Sequence, residues 1–209
     1  MSFPSAWRQR LLELIDQRCL ITGGSLTLST GAASSFYFDC KRATLQGECL
    51  DLIAEAFLAE MSAFPVWPDA IGGLTLGADF ITAAVVLTAH RRGLPLEGSI
   101  VRKEPKKHGT KTPIENELPA GTRVVVVDDV ITTGSSTLQA AEKFQASGYE
   151  VVGVIALVDR EAGGAENLAA RLGCQVRAVF HKRDFTRLSE GEGEGEGERH
   201  GFIGKLVAA

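Results

Sequence analysis

Several common signatures are missing from this chain, and each absence removes a class of function. Its four cysteines, Cys19, Cys40, Cys49 and Cys174, form no C-x-x-C pair and have no histidine at zinc-finger spacing, so neither a disulfide framework nor a structural metal is indicated. No run approaches the roughly 18 apolar residues that a membrane span requires. Met1 to Arg10 holds two arginines and no apolar h-region, so no secretory leader is expected. There is no G-x-x-x-x-G-K-[ST] and no G-x-G-x-x-G, so neither a Walker-type nor a dinucleotide phosphate loop is present. One-sided charge is lacking too. The formal charge of −4 is matched by Ser189 to Arg199, which carries five Glu against one Arg, and the rest of the 209 residues balances acids and bases. No global field therefore points to nucleic acid or a membrane surface. These absences predict a soluble, unprocessed protein of a reducing cytoplasm.

What is present is the material of a globular core, with 44% hydrophobic and 23% charged residues, enough for one domain spanning residues 1–209. Trp7, Leu11, Leu14 and Ile15 recur at helical spacing, as do Leu50, Ile53, Phe57 and Met61. Between these helices, about 20–47, the chain alternates and turns, which predicts a small β-structured excursion. From Asp69 onward short Val/Ile runs alternate with helical patterns. Strands are expected at Ala70–Ile71, Ser99–Val101, Arg123–Val127, Val151–Val158 and Val176–Phe180. Helices are expected near Ala78–His90, Ser135–Ala146 and Glu166–Leu172, the last closed by Gly173. Near-continuous apolar strands followed by helices imply an α/β fold whose central, mostly parallel sheet is flanked by helices.

Two stretches break this rhythm. Lys103 to Pro119 has neither period and contains Pro105, Gly109 and Pro113; structureless loops beyond about 12–15 residues are often functional lids. Glu190 to Glu198 is strict Glu-Gly alternation, which buries no apolar surface and reads as a solvated linker, within 189–199.

The most informative stretch runs from Val124 to Thr137. Four valines lead into Asp128 and Asp129, followed by Val130, Ile131, Thr132, Thr133, Gly134, Ser135 and Ser136 at the start of a helix. Ligands of open parallel sheets bind beyond the carboxyl ends of the strands, which is where these acids fall. Hydroxyls and backbone N–H groups at a helix start form a phosphate cradle, while adjacent carboxylates accept hydrogen bonds from vicinal sugar hydroxyls. Each piece alone is as well explained by a capped turn at a strand end. Arg102 to Lys111 adds five bases against one acid on the irregular loop, a concentration of positive charge suited to a diphosphate leaving group.

The stretch beginning at Asp128 resembles the phosphoribosyl diphosphate motif of type I phosphoribosyltransferases, and Arg102-Lys103-Glu104-Pro105-Lys106-Lys107-His108-Gly109 resembles the R-K-E-x-K-x-H-G loop of orotate phosphoribosyltransferases. Leu26 to Gly31, Tyr37-Phe38-Asp39 and Val158-Asp159-Arg160-Glu161 extend the resemblance over about 20–185. It implies the type I phosphoribosyltransferase fold, with a small N-terminal β-containing hood and a flexible catalytic loop at 103–119. It implies transfer of phosphoribose from phosphoribosyl diphosphate to orotate with Mg²⁺ as cofactor. Arg102, Lys106 and His108 would bind the diphosphate, and Lys103 would act catalytically in the partner subunit's site, which implies a homodimer. Asp128 and Asp129 would hold the ribose hydroxyls and stabilise the positive transition state; Thr132 to Ser136 would hold the 5-phosphate, and Val130 and Ile131 would belong to the same phosphoribosyl diphosphate site. Thr132 and Arg160 would contact orotate, Arg160 offering the planar fork that suits a carboxylate. Mg²⁺ would enter on the substrate diphosphate, with no residue assigned as its ligand. The chain departs from many orotate enzymes at Ser29 and around Leu76, where they carry lysine. The rival expectations are transfer to another nucleobase and a phosphoribosyl-diphosphate-sensing regulator.

Overall fold

The computed structural model describes residues 3–27, 33–104 and 112–191. Lys106, His108, the Ser29 departure, the Glu-Gly segment from residue 192 and His200 lie outside them. Helix α1 (Ser5–Cys19) turns Leu11, Leu14, Ile15 and Cys19 inward and leads into a hairpin, β1 (Leu20–Thr27) with antiparallel β2 (Ala33–Phe38), beside the main sheet. A short helix, α2 (Lys41–Thr44), which the sequence pattern does not announce, connects the hairpin to α3 (Gly47–Met61). Trp7 lies on the outer side of α1 and is exposed.

The main sheet has six strands. They are β3 (Ala70–Leu74), β4 (Glu97–Val101), β5 (Ile114–Glu115), β6 (Arg123–Ile131), β7 (Glu150–Asp159) and β8 (Gln175–His181), in spatial order β5-β4-β3-β6-β7-β8. All neighbours are parallel except β5, an antiparallel edge on β4. Helices α4 (Gly77–Arg91), α5 (Ser135–Ala146) and α6 (Gly164–Leu172) cross between parallel strands, and a 3₁₀ turn with α7 (Thr186–Gly191) follows.

The valines of β6 explain why its sequence does not alternate. Val125 and Val127 pack into the core under α1, α3 and α4, while Val124 and Val126 pack into the core under α5 and α6. All four are buried, each worth roughly 1.5–3 kcal/mol relative to exposure.

Two expectations are corrected here. The strand does not stop at Val127 but continues through both acids, with Asp128 opposite Ala156 and Ile131 opposite Asp159 on β7. The stretch 103–119 is not wholly irregular, because Ile114 and Glu115 pair with Val101 and Ile100; two residues are too few to show a period. The chain leaves β3 toward β4 on one side, and from β6 runs toward β7 and β8 on the other. The crevice past the ends of β3 and β6 is thus the topological switch point, where such sheets bind ligands.

Candidate active site

Asp128 is the most constrained acid in that crevice. It is 8% exposed; one carboxylate oxygen accepts from the Asp129 N–H at 3.0 Å and the other from the Thr137 hydroxyl at 2.7 Å. Burial, with Asp129 next to it, pushes its pKa from 3.8 up to about 7. Asp129, half-buried, accepts from the Val130 N–H at 2.9 Å. The turn after β3, which contains a cis peptide between Thr75 and Leu76, approaches both acids. A Cβ on Gly77 would stand 2.8 Å from Asp129 Oδ1 and 3.1 Å from Asp128 Oδ1, so this turn must present glycine to the carboxylates.

Thr132, Thr133, Gly134, Ser135 and Ser136 form the loop into α5. Gly134 caps the helix at φ +79°, in the left-handed region. A Cβ there would lie 2.9 Å from Leu168 Cγ and 3.0 Å from the Gly164 carbonyl. Thr133, Ser135 and Ser136 are exposed and Thr132 half-buried, and the Thr133 hydroxyl donates to that of Ser135 at 3.3 Å. Gly164, the first residue of α6, backs the loop so closely that a Cβ would overlap the Thr132 carbonyl.

Arg102 and Lys103 leave β4 on the other side of the crevice. The Arg102 guanidinium pairs with Glu115 at 2.5 Å, and Lys103 is exposed. Lys143 of α5 donates to the carbonyls of Arg102 at 2.6 Å and Lys103 at 3.0 Å, tying the end of β4 to the helix that begins at the hydroxyl-rich loop. Thr75, Asp79, Arg102, Lys103 and Glu115 line a cleft of about 490 Å³.

Arg160 follows β7. Its N–H donates to the Ile131 carbonyl at 3.0 Å, and its guanidinium stacks 4.3 Å from the ring of Phe36 in the hairpin. Lys41 sits with its ammonium 3.3 Å from Asp39; burial works against its charge, but Tyr37, Asp39 and Asp129 outweigh that and raise its pKa. A second cavity of about 290 Å³, between α6 and the ends of β7 and β8, takes only Ile131 from the expected set.

The structure thus gathers Asp128, Asp129 and Thr132 to Ser136 at one crevice, places Arg102 and Lys103 on its β4 side, and sets Arg160 against the hairpin; Val130 and Ile131 instead pack into the two cores, Ile131 also lining the second cavity. Gly77, Gly164 and Lys143 escape a sequence reading, whereas Thr137 closes the motif stretch without a role of its own. Only the hydroxyl of Thr137, three residues into the helix and therefore aimed back toward its start, left a usable signal.

Residues 70–193 match the family model described as the phosphoribosyl transferase domain. The orotate phosphoribosyltransferase of Rhodopirellula baltica is 43% identical over 88% of this chain and 98% of its own length; that of Aquifex aeolicus is 44% identical over 77% and 88%. The chain belongs to the orotate phosphoribosyltransferase family. Its fold agrees with that of a solved family member, the Mycobacterium tuberculosis orotate phosphoribosyltransferase in complex with 5-phospho-α-D-ribosyl 1-diphosphate. The TM-score is 0.71 at 35% identity, covering 86% of this chain and 99% of that one.

Proposed function

We propose that this protein transfers the 5-phosphoribosyl group of phosphoribosyl diphosphate to orotate, giving orotidine 5'-monophosphate and diphosphate in pyrimidine biosynthesis. The observation that carries this reading is the buried acid Asp128 beside Asp129 at the switch point, directly followed by a hydroxyl-rich helix start. The basic segment opening at Arg102 supports it from the other side of the crevice.

In this reading Asp128 and Asp129 accept the ribose hydroxyls and face the positive charge that develops on the sugar. Thr132 to Ser136 receive the 5-phosphate on backbone N–H groups and hydroxyls, at the positive end of α5. Arg102, Lys106 and His108 hold the diphosphate, and Lys103 reaches the site of a second copy, so the working unit is a homodimer with shared sites. Arg160 pairs with the orotate carboxylate, its plane already set by Phe36, with Thr132 alongside.

The bond from the anomeric carbon to diphosphate breaks, the bond to the pyrimidine N1 forms on the opposite face, and the N1 proton is lost. A closed loop would keep water from the sugar cation. The donor set suits Mg²⁺. Asp128 and Asp129 are hard oxygen donors at the crevice, and Mg²⁺ binds readily through substrate phosphates with few protein ligands. It would be held by the substrate's own oxygens and neutralise charge on the leaving diphosphate. We place the protein in the cytoplasm, as one domain acting without nucleic acid or membrane. Among the described residues no helix is long and apolar enough to cross a membrane.

The test is loss of orotate ultraviolet absorbance with purified protein, dependent on phosphoribosyl diphosphate and Mg²⁺, beside uracil, adenine and hypoxanthine. Consumption of orotate alone supports the assignment. Reaction with another base overturns it, and binding of phosphoribosyl diphosphate without turnover of any base points to a sensor.

A further inference from the structure

Thr137 immediately follows the loop expected to hold the 5-phosphate, as the third residue of α5. It is 1% exposed, and its hydroxyl donates at 2.7 Å to Asp128 Oδ2. The other oxygen of that carboxylate accepts from the Asp129 N–H at 3.0 Å. Asp128 thus has one donor on each oxygen, from two different elements, β6 and α5. Two donors fix both the rotation of the carboxylate and the directions of its remaining lone pairs.

We infer that Thr137 is a positioning residue for the transfer reaction, holding the Asp128 carboxylate in the orientation that receives the ribose hydroxyls of phosphoribosyl diphosphate. This rests on the function proposed above. A core threonine serving packing alone would be replaceable by valine, which has the same shape. Here valine would leave Oδ2 of a nearly buried carboxylate without its donor, a loss that falls on the charged group rather than on packing. The sequence context agrees. At the third position of α5 a threonine hydroxyl can point back to the helix start, where Asp128 lies, and its own N–H adds to the positive end of the helix beside the acid.

The experiment compares Thr137→Val and Thr137→Ser with the unmodified protein in the orotate assay, with melting temperatures measured on the same preparations. In Thr137→Val, kcat/KM for phosphoribosyl diphosphate should fall roughly 10- to 100-fold, as expected for removing a hydrogen bond to a charged group. The KM for orotate should stay within about twofold, since Asp128 faces the sugar and not the base. Thr137→Ser, which keeps the donor and loses the methyl, should recover most of the activity even if it melts lower. A merely structural role predicts the reverse: activity that follows melting temperature, with Ser the more damaged. The inference is overturned if Thr137→Val keeps its kcat/KM, if both KM values stay unchanged while kcat falls in proportion to folded protein, or if Ser fails to rescue. Should the unmodified protein leave orotate untouched, the proposed function itself fails, an outcome visible before any variant is measured.

Discussion

Asp128 concentrates the conflict between stability and activity in one side chain. Its folded pKa is raised from 3.8 to about 7 by burial and by Asp129, so folding favours its protonated form. That favourable contribution is complete below the unfolded value and disappears as pH rises through about 7. Above that, the ligand-free protein carries an ionised, nearly buried carboxylate at a cost. Asp128→Asn should therefore melt at a higher temperature than the unmodified protein at pH 8, with the advantage shrinking toward pH 4 as Asp128 protonates. The same variant should lose about 100-fold or more of its turnover, the scale of removing a preorganised charge partner. Parallel melting curves across this pH range, with an activity assay at each end, check both halves. Equal melting temperatures at every pH would mean that the burial of this carboxylate is not costly.

Among elements, α6 matters more to the proposed site than its position suggests, because Gly164 supports from behind the loop proposed to hold the 5-phosphate. Gly164→Ala places a methyl into the Thr132 carbonyl and close to the Gly134 N–H, so either the loop or the helix must move. Overpacking of this kind costs about 1–3 kcal/mol, and a displacement near 1 Å at a reacting site can cost ~100-fold in rate. The expected outcome is a lower melting temperature with kcat/KM reduced at least tenfold. Gly47→Ala, where an added methyl meets nothing within 4 Å, serves as the control that should leave kcat/KM unchanged.

These contacts mark the limit of what the sequence could disclose. The β6 valines, the acids and the hydroxyl-rich turn were legible because strand burial and helix capping are local patterns. The parallel sheet followed from the alternation of such strands with helices. Thr137 to Asp128 and Gly164 to Thr132 join elements whose juxtaposition only the fold creates. The pairing of β5 with β4 and the four-residue α2 were too short to leave a period. The extension of β6 past its acids is imposed by β7, whose register continues to Asp159.

At the scale of the whole molecule, the proposed sharing of Lys103 between copies makes a quantitative claim. Lys103→Ala and Asp128→Asn should each be inactive alone, one lacking the lysine given to its partner, the other the acid of its own site. When the two are unfolded together and refolded, half of the dimers are mixed, and in each of these one of the two sites receives an intact acid and an intact lysine. Activity should return to about one quarter of the unmodified level, the share set by two-fold assembly. If no activity returns although the mixture sediments as a dimer, each copy uses its own Lys103.

Lys143 adds a geometric consequence. It lies eight residues after Ser135 on an unbroken helix, so about 12 Å of rigid rod separates the phosphate cradle from the carbonyls of Arg102 and Lys103 that it grips. Helix α5 therefore works as a gauge block, setting the span between the loop proposed to seat one end of the substrate and the root of the segment proposed to meet the other. A single residue inserted between them would lengthen the rod by only about 1.5 Å but swing Lys143 about 100° around the axis, away from both carbonyls. The tolerance of this protein for changed helix length is thereby set by angle rather than by distance.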